Sequence, residues 1–504
     1  MTRTFISKEM RTFRQTRLLL RVFAVITTVF CCTLILPMIV SVAYGDGQFR
    51  SFFYAFLSGL VTSGLMWLVG REPGASHFNL RPRDAIPLVV SCWSFLPVIA
   101  CIPFLVFFGK EQPNFHFTVA YFEAVSGLTT TGATTLSGLD QLPESINFWR
   151  LFLQWLGGMG ILILAVAVIP LLGFGGSQLF RSEATGPLKD SKVTPRITET
   201  AKGLWLVYLG LSIACFISYW IAGMPVFDAL IHSFSTLSLG GLSSHDASFG
   251  HFESASIQWT AIVFMLLASC NFSLYFVAFY RRTVFGLFRD QELRLTLYIL
   301  IGSTLLMYLF LLGRGVFSLG EESFRTVMFN VVSIASTTGY ATTDYTAWPL
   351  LVPFCMILMS SFATSAGSTG AGIKVIRLLV LVQQIRKELK TLIHPKLVDP
   401  VRISGSPIGD KAVFSIVVFI AIYCVTALVI TVLFIATGLS IDTAWSATFA
   451  TLNNMGPGLN EIGPSGNYSS FTSVQLWIAS VAMILGRIEL LSFFVMLSGA
   501  FWRT

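Results

Sequence analysis

Ser126-Gly127-Leu128-Thr129-Thr130-Thr131-Gly132-Ala133-Thr134 and Ser333-Ile334-Ala335-Ser336-Thr337-Thr338-Gly339-Tyr340-Ala341-Thr342 follow one pattern, S-x-x-[ST]-T-T-G, at two distant points of the chain. A third segment, Ser235-Thr236-Leu237-Ser238-Leu239-Gly240-Gly241-Leu242-Ser243, keeps the two serines and the glycine but replaces the threonine pair. The fourth, Ala450-Thr451-Leu452-Asn453-Asn454-Met455-Gly456-Pro457-Gly458, keeps chiefly the glycine. Gly132, Gly241, Gly339 and Gly456 are separated by 109, 98 and 117 residues, a near-constant interval that marks an internal repeat. Each glycine follows a moderately apolar stretch, such as residues 117–128 or 324–335. Such a stretch is too short to cross a bilayer core of roughly 30 Å and long enough to reach its middle. A re-entrant helix and loop is the expected structure of each segment.

The rest of the chain has the composition of a membrane protein. Of its 504 residues, 54% are hydrophobic and 12% charged, against roughly 25% charged in soluble domains. Runs long enough to span occur at 18–44, 52–69, 85–108, 148–174, 204–222, 256–280, 295–312, 348–382 (with a break inside it), 413–437 and 474–501. The first has basic flanks but exceeds a signal-peptide core and lacks a small-residue cleavage pattern, so it reads as a retained helix. Segments 1–21, 71–83, 181–202, 281–294 and 374–411, with Arg503, hold 27 of the 33 basic residues. They alternate with the opposite loops, so the positive-inside rule puts them, and both termini, in the cytoplasm. The opposite loops carry five bases and 13 acids, an excess that concentrates cations at the outer face. Topology accounts for the basic charge, so no nucleic-acid partner is expected. The eight cysteines lie in apolar runs without CxxC spacing, as core residues do. His245, Asp246 and His251 invite a metal-site reading, but polar loop residues of no further role are the preferred one.

Irregular backbone at membrane depth persists only where protein buries it or where it lines a water-filled cavity. Four such loops around one axis form a cavity lined by carbonyls, which replace the hydration shell of a permeating cation. Glycine suits backbone angles that residues with a Cβ tolerate poorly. The alternative, small residues mediating close helix packing, explains one segment as well as a pore does, but not four at matched spacing. The fold expected is an all-α polytopic membrane protein: about ten transmembrane helices plus four re-entrant pore helix-loops, a pseudo-fourfold repeat around a central pore. The units expected are an extra N-terminal helix pair, 1–80, and pore repeats 81–200, 201–290, 291–400 and 401–504.

These residues resemble the TrkH/TrkG subunits of the bacterial Trk potassium uptake systems, in the superfamily that also holds KtrB and the plant HKT transporters. The resemblance rests on the four loops, on Gln154-Trp155-Leu156-Gly157-Gly158-Met159-Gly160, on Gly186-Pro187-Leu188-Lys189-Asp190, and on residues 194–202. It also rests on Asn271-Phe272, on Gly367-Ser368-Thr369-Gly370-Ala371-Gly372-Ile373-Lys374, and on Gly486-Arg487-Ile488-Glu489. The helix pair before residue 80 is similar to TrkH/TrkG and absent from KtrB. The resemblance implies that Gly132, Gly241, Gly339 and Gly456 supply filter carbonyls with their neighbours Thr130, Thr131, Leu239, Gly240, Thr337, Thr338, Asn454 and Met455. K⁺ is then the permeant ion, Rb⁺ also passes, Na⁺ passes less well, and no cofactor is bound. In HKT proteins serine at the first filter glycine goes with Na⁺ preference; here that position is Gly132, which favours K⁺. A Na⁺/K⁺-permeable transporter of the KtrB/HKT kind and a cation/H⁺ symporter stay open as alternatives. The family also implies the bacterial inner membrane, a homodimer of pore subunits, and a TrkA-like cytoplasmic regulator that binds NAD(H) and adenine nucleotides. A soluble regulator is expected besides, because loops 181–202 and 374–411 are large and basic yet hold no domain.

Two features suit a gate. Arg487 lies within the last apolar run, where a charge costs roughly 2.5 to 3.5 kcal/mol on insertion scales. Glu489 sits about 200° around an ideal helix and cannot neutralise it on the same face. The family places this arginine in the cavity below the filter; pairing with an acid or carbonyls of a neighbouring helix is the other reading. Residues 366–374 interrupt the longest apolar run with Gly367, Ser368, Thr369 and Gly370 in succession, then Ala371, Gly372 and Lys374. The P-loop order Gly-Lys-[Ser/Thr] is missing, since Ile373 separates Gly372 from Lys374. The family reads the stretch as an intramembrane loop obstructing the pore; a packing kink is the alternative. No chain of buried acids or histidines stands out as a proton relay, Glu489 being the weak candidate. An enzyme would need a convergent polar site at the membrane surface, and DxD and HExxH are absent. Inverted-repeat transporters have twofold antiparallel symmetry, whereas these four units run in one direction.

Overall fold

A computed structural model describes residues 2–71, 84–111, 115–160, 197–283, 287–397, 399–488, 490–499 and 501. The chain opens with α1 (Thr2–Thr33), α2 (Ile35–Tyr44) and α3 (Phe49–Val69). The first two run nearly end to end and α3 returns beside them. Small residues permit the close approach: the Gly59 α-carbon lies against the Cys31 thiol, and Ser63 Oγ, 2.6 Å from Thr28 Oγ1, donates to the Ala24 carbonyl at 2.7 Å. Such packing suits a bilayer, where apolar burial alone gives helices no reason to associate.

Each glycine segment then sits between flanking helices. The first unit has α4 (Ala85–Ala100), α5 (Ile102–Glu111), the short α6 (Phe117–Leu128) and α7 (Glu144–Trp155). The second has α8 (Ile197–Ile221), the short α9 (Val226–Ser238), α10 (Ala255–Ala268) and α11 (Phe272–Arg281). The third has α12 (Gln291–Gly313), the short α13 (Glu321–Ala335), α14 (Leu351–Ser360) and α15 (Val375–Ile393). The fourth has α16 (Asp410–Ala436), the short α17 (Ile441–Leu452), α18 (Ser473–Ile488) and α19 (Leu490–Leu497). Before α16 a two-residue antiparallel ribbon pairs β1 (Arg402–Ile403) with β2 (Ser406–Pro407).

Among the described residues six helices are long and apolar enough to cross a membrane: Thr16–Tyr44, Phe49–Val69, Ala85–Lys110, Ala201–Ile221, Gln291–Gly313 and Asp410–Ala436. These match six of the ten sequence runs, and their outward faces are apolar, with Val42, Val61, Leu306 and Leu428 all more than half exposed. The run 148–174 extends beyond the described residues. The run 474–501 includes residues outside the described ones, and the other two, 256–280 and 348–382, are broken. In 256–280 the helices α10 and α11 meet at 87°, a break the apolar run gave no reason to expect. Asn271 caps α11, accepting from Ser273 N at 2.9 Å, and two backbone bonds to another segment hold the corner open. Ser365 N donates to Ser269 O at 2.9 Å and Phe272 N donates to Gly367 O at 3.1 Å. Freed backbone groups inside a membrane need partners, and here the loop between α14 and α15 supplies them.

The core follows the same plan. The short helices are enclosed by the flanking ones, and Ala120, Phe122, Ala229, Ile231, Val327, Phe329, Ala444 and Ala447 are fully buried. In the first unit Trp149 anchors the contact with the N-terminal helices, its indole N–H donating to Ala100 O at 3.0 Å while its ring meets Phe30 and Phe52.

Candidate ion pathway

The four short helices end in the same way. Thr131, Gly240, Thr338 and Met455 donate their N–H groups to Ser126 O, Ser235 O, Ser333 O and Ala450 O at 2.8 to 2.9 Å, each five residues back. The residue before each donor is left-handed: Thr130 at φ 59°, Leu239 at 53°, Thr337 at 65° and Asn454 at 50°. This is a Schellman-type stop, and it costs more than usual because none of the four is glycine. One residue after each donor comes the repeat glycine, also at positive φ: 80° at Gly132, 77° at Gly241, 89° at Gly339 and 94° at Gly456. So the backbone repeats four times even where the side chains diverge.

The loops also close on one another. A Cβ on Gly132 would strike the Gly240 carbonyl, one on Gly241 the Thr338 carbonyl, one on Gly339 the Met455 carbonyl, and one on Gly456 the Thr131 carbonyl. The contacts run from first loop to second, second to third, third to fourth, and fourth back to first. That cyclic order is a ring, with four carbonyls of equivalent position packed against four glycines. All four glycines line one cavity of about 80 Å³, enough for several waters. Its wall includes Thr134, Arg150, Ser243, His245, Asp246 and Tyr468.

Side chains tune the loops unequally. Ser126 Oγ donates to Ala133 O at 2.5 Å and Ser333 Oγ to Tyr340 O at 2.7 Å, the same bond seven residues on. Thr129 and Thr131 hydroxyls meet at 2.7 Å, as Ser336 and Thr338 do at 2.8 Å. The second loop lacks the threonine pair; Gln154 of α7 serves it instead, donating to Gly240 O at 2.5 Å and accepting from Leu242 N at 3.2 Å. In the fourth, Asn454 Nδ2 donates to Thr131 Oγ1 at 2.8 Å and Met483 O at 2.9 Å, and Tyr468 Oη donates to Gly456 O at 2.8 Å. Leu239 and Met455 are fully buried, so neither side chain faces the cavity.

Below the ring, residues 361–374 form the irregular stretch between α14 and α15. Thr364 Oγ1 donates to Ala371 O at 3.0 Å and Val375 N to Thr364 O at 2.9 Å, drawing the stretch into a compact loop. Gly367 and Gly372 adopt φ 80° and 83° there, and Lys374 follows at 78°. Lys374 is buried and its ammonium turns back to the Gly370 carbonyl and, at 3.5 Å, to Ser368 Oγ. Ser368 Oγ donates to Ser365 O at 2.6 Å. The tip reaches the second and third glycine segments: Thr369 Oγ1 donates to Leu237 O at 3.0 Å, and Ala371 N lies 3.4 Å from Thr337 Oγ1.

Arg487 meets this tip. Its Nη1 donates to Thr369 O at 2.9 Å, and its Nη2 donates to Gly157 O at 2.5 Å and Gly158 O at 2.6 Å, with a long contact from Nη1 to Thr130 Oγ1 at 3.4 Å. The guanidinium carbon lies 5.4 Å from the Trp93 ring centroid. The arginine thus lies against the first glycine segment and the irregular stretch, bonded to carbonyls of neighbouring segments. Glu489 lies outside the described residues, as do residues 186–190.

Four supporting side chains carry no motif. Glu292, in the first turn of α12, is buried and accepts from Ala366 N at 2.6 Å, and Thr296 Oγ1 one turn on meets Ser365 Oγ at 2.8 Å. An acid and a threonine four apart at the start of an apolar run were the available signal. Glu123, inside the first short helix, is buried and accepts from Thr135 N at 2.5 Å, Thr135 Oγ1 at 2.8 Å and Thr134 Oγ1 at 3.0 Å. Arg150 stands beside it, donating to Thr134 Oγ1, Asn147 Oδ1 and Ser243 O. Glu123 and Glu292 are thus buried acids, and each holds a loop in place. Removing Glu123 strands the Thr135 N–H and uncovers the Arg150 charge, so Glu123→Ala is expected to destabilise the protein by about 3 kcal/mol. Thermal unfolding in detergent reads this, with Glu123→Gln, which retains an acceptor, less affected. His394 and Asp399 have the HxxxxD spacing of some transferases, a pattern the sequence reading passed over, but Asp399 is 2.9 Å from Lys390 Nζ, which holds its carboxyl below the ordinary range.

The chain was compared with known families and structures. Residues 61–504 match the model of the TrkH family, described as "Cation transport protein". The "Trk system potassium uptake protein TrkH" of Vibrio parahaemolyticus is 40% identical over 97% of this chain and 100% of its own length. The TrkG protein of Escherichia coli K12, a Trk system potassium uptake protein, is 36% identical over 93% of this chain and 95% of its own. The crystal structure of the potassium transporter TrkH from Vibrio parahaemolyticus superposes with a TM-score of 0.85 at 38% identity, covering 97% of this chain and 100% of that one.

Proposed function

The chain belongs to the TrkH family of cation transport proteins, and from that premise we propose that it takes up K⁺ through a channel-like pore whose filter is the ring of four glycine loops. The observation that carries this reading is the cyclic packing of Gly132, Gly241, Gly339 and Gly456, each against the carbonyl of the next loop. Thr130, Thr131, Leu239, Gly240, Thr337, Thr338, Asn454 and Met455 shape those loops, and the carbonyls stand in for water around the ion. Rb⁺, close to K⁺ in size, passes as well. The chain lies in the bacterial inner membrane with both termini in the cytoplasm, the side where its basic loops gather.

The potential supplies the work. A unit charge gains roughly 2.3 kcal/mol per 100 mV, so an interior about 150 mV negative supports roughly 300-fold accumulation. Residues 367–372 with Lys374, and Arg487 bonded to their tip, close the path beneath the filter. A cytoplasmic regulator of the TrkA kind, binding NAD(H) and adenine nucleotides, docks on the basic loops of a dimer of pore subunits and withdraws this obstruction.

Purified protein in K⁺-loaded liposomes tests the reading: concentrative ⁸⁶Rb⁺ uptake is expected, competed by K⁺ better than by Na⁺. Absence of Rb⁺ uptake both in the wild type and in Arg487→Ala would sink it. The loop's anchor gives a second check. Glu292→Ala removes a hydrogen bond to a carboxylate, worth about 1.5–3 kcal/mol, from the support of Ala366. Basal Rb⁺ uptake is expected to rise severalfold; an unchanged rate would mean that Ser269, Phe272 and Thr296 hold the loop without it.

A further inference from the structure

A cluster of possible metal ligands stands at the rim of the cavity, with His245 in its wall. Asp140 lies in the 3₁₀ turn Leu139–Gln141 of the first unit, and His245 and His251 lie in the loop that follows the second filter segment. One donor atom from each of the three falls within 4.8 Å of the others. The two imidazoles stack face to face, centroids 3.6 Å apart and planes within 3°. His245 Nδ1 points at Asp140 Oδ1 from 2.5 Å.

We propose that Asp140, His245 and His251 form a binding site on the outer face for a divalent transition-metal ion, with Zn²⁺ the ion their chemistry fits best. Two imidazole nitrogens and one carboxylate oxygen are the donor set of open zinc sites, in which water completes a tetrahedron. Mg²⁺ and Ca²⁺ prefer shells of oxygen and would be poorly served. Bonds of about 2.0–2.1 Å to one ion separate tetrahedral donors by roughly 3.4 Å. The donors lie within 4.8 Å of one another, so seating the ion requires His245 and Asp140 to part by about 1 Å and the two stacked rings to turn until a nitrogen of each points at the ion.

Two further observations point to a prepared site. On the far side of the His245 ring, Nε2 has no hydrogen-bond partner and sits 3.5 Å from Asp228 Oδ1. A carboxylate behind the second nitrogen is the usual support of a metal-bound histidine, since it orients the ring and directs the other nitrogen to the ion. Asp228 is itself held by Ser244 Oγ at 2.9 Å. Asp246, meanwhile, accepts from Gly138 N at 3.0 Å and Leu139 N at 3.2 Å, and its own N–H donates to Asp140 Oδ2 at 3.2 Å. That clamp fixes the Asp140 turn against the histidine loop before any ion arrives. The sequence pointed to Asp246 as the acid of this group; the structure gives it the clamp and brings Asp140 in from the preceding unit.

Metal-stripped protein in detergent, titrated with Zn²⁺ by calorimetry, tests the site, with Co²⁺ absorption as the reading of coordination. One tight Zn²⁺ per chain and tetrahedral Co²⁺ bands are expected. His251→Ala and Asp140→Asn should each bind at least tenfold more weakly, and Asp228→Asn about 10- to 100-fold more weakly. Rb⁺ uptake by His251→Ala is expected to equal that of the wild type, which shows that the variant is folded. Equal Zn²⁺ binding by wild type, His251→Ala and Asp140→Asn would overturn the proposal, and so would Mg²⁺ competing as well as Zn²⁺.

Discussion

Gly132→Ser is expected to lower Rb⁺ uptake at least tenfold and to raise the share of Na⁺ in what remains. Two costs meet at this position. The backbone sits at φ 80°, where a residue with a Cβ is strained by roughly 1–2 kcal/mol. The new side chain also points straight at the Gly240 carbonyl of the second loop. That carbonyl is held from behind by Gln154 Nε2 at 2.5 Å and cannot swing away without breaking the bond. The ring must open between the first and second loops, and a wider ring with one displaced carbonyl discriminates less by fit. The loss of flux follows from that displacement, since the strain is relieved only where the loop backbone moves. Flux of ⁸⁶Rb⁺ and ²²Na⁺ in the same proteoliposome preparation measures both effects. Gly138→Ser is the control, because Gly138 has a positive φ of 72° but open space around its α-carbon. If Gly132→Ser transported Rb⁺ like the wild type, the first loop would not belong to the filter.

Arg487→Ala should act in the opposite direction and raise basal Rb⁺ uptake at least tenfold in the absence of any regulator. The guanidinium holds the Thr369 carbonyl and the Gly157 and Gly158 carbonyls together. Bonds from a charged donor are worth about 1.5–3 kcal/mol each. A fixed positive charge beside the path adds a barrier of its own, about 4 kcal/mol for a cation 4 Å away at an effective dielectric of 20. Alanine removes both. Arg487→Lys separates them, because an ammonium keeps the charge but lacks the planar fork that reaches three carbonyls. If the charge is the main barrier, lysine stays near the wild-type rate; if the fork is, lysine behaves like alanine. A basal rate unchanged in both variants would remove Arg487 from the gate.

Both predictions depend on contacts between segments far apart in the chain, and that is where reading the sequence reached its end. The repeat itself was legible, because a helix that must stop at membrane depth needs a left-handed stop and then a glycine, and these are local demands. Gly132, Gly241, Gly339 and Gly456 answer them at matched intervals. Even the degenerate loops could be placed: Asn454 and Leu239 adopt the same left-handed position as Thr130 and Thr337. The run Gly367 to Gly370 likewise announced a break in its helix, since two glycines around a Ser-Thr pair weaken helical propensity at one point of the span. The charge asymmetry of the loops was additive and therefore readable as a sum.

What packs against what was not. The break between α10 and α11 lies in a run as apolar as any other, and only the bonds from Ser365 N and to Gly367 O explain why it bends there. Nothing local to Glu292 names its partner, the Ala366 N–H at 2.6 Å from the far side of the third unit. The histidine loop read as polar surface until Asp140, from another repeat, closed the cluster. The two gate candidates, assigned to different units, turned out to touch at Thr369. The sequence alone determined the number of glycine segments and their local backbone, because each is set by preferences within a few residues. Only the tertiary structure decided their cyclic order and the partners of Arg487, because those rest on contacts across a hundred residues or more, which no local pattern encodes.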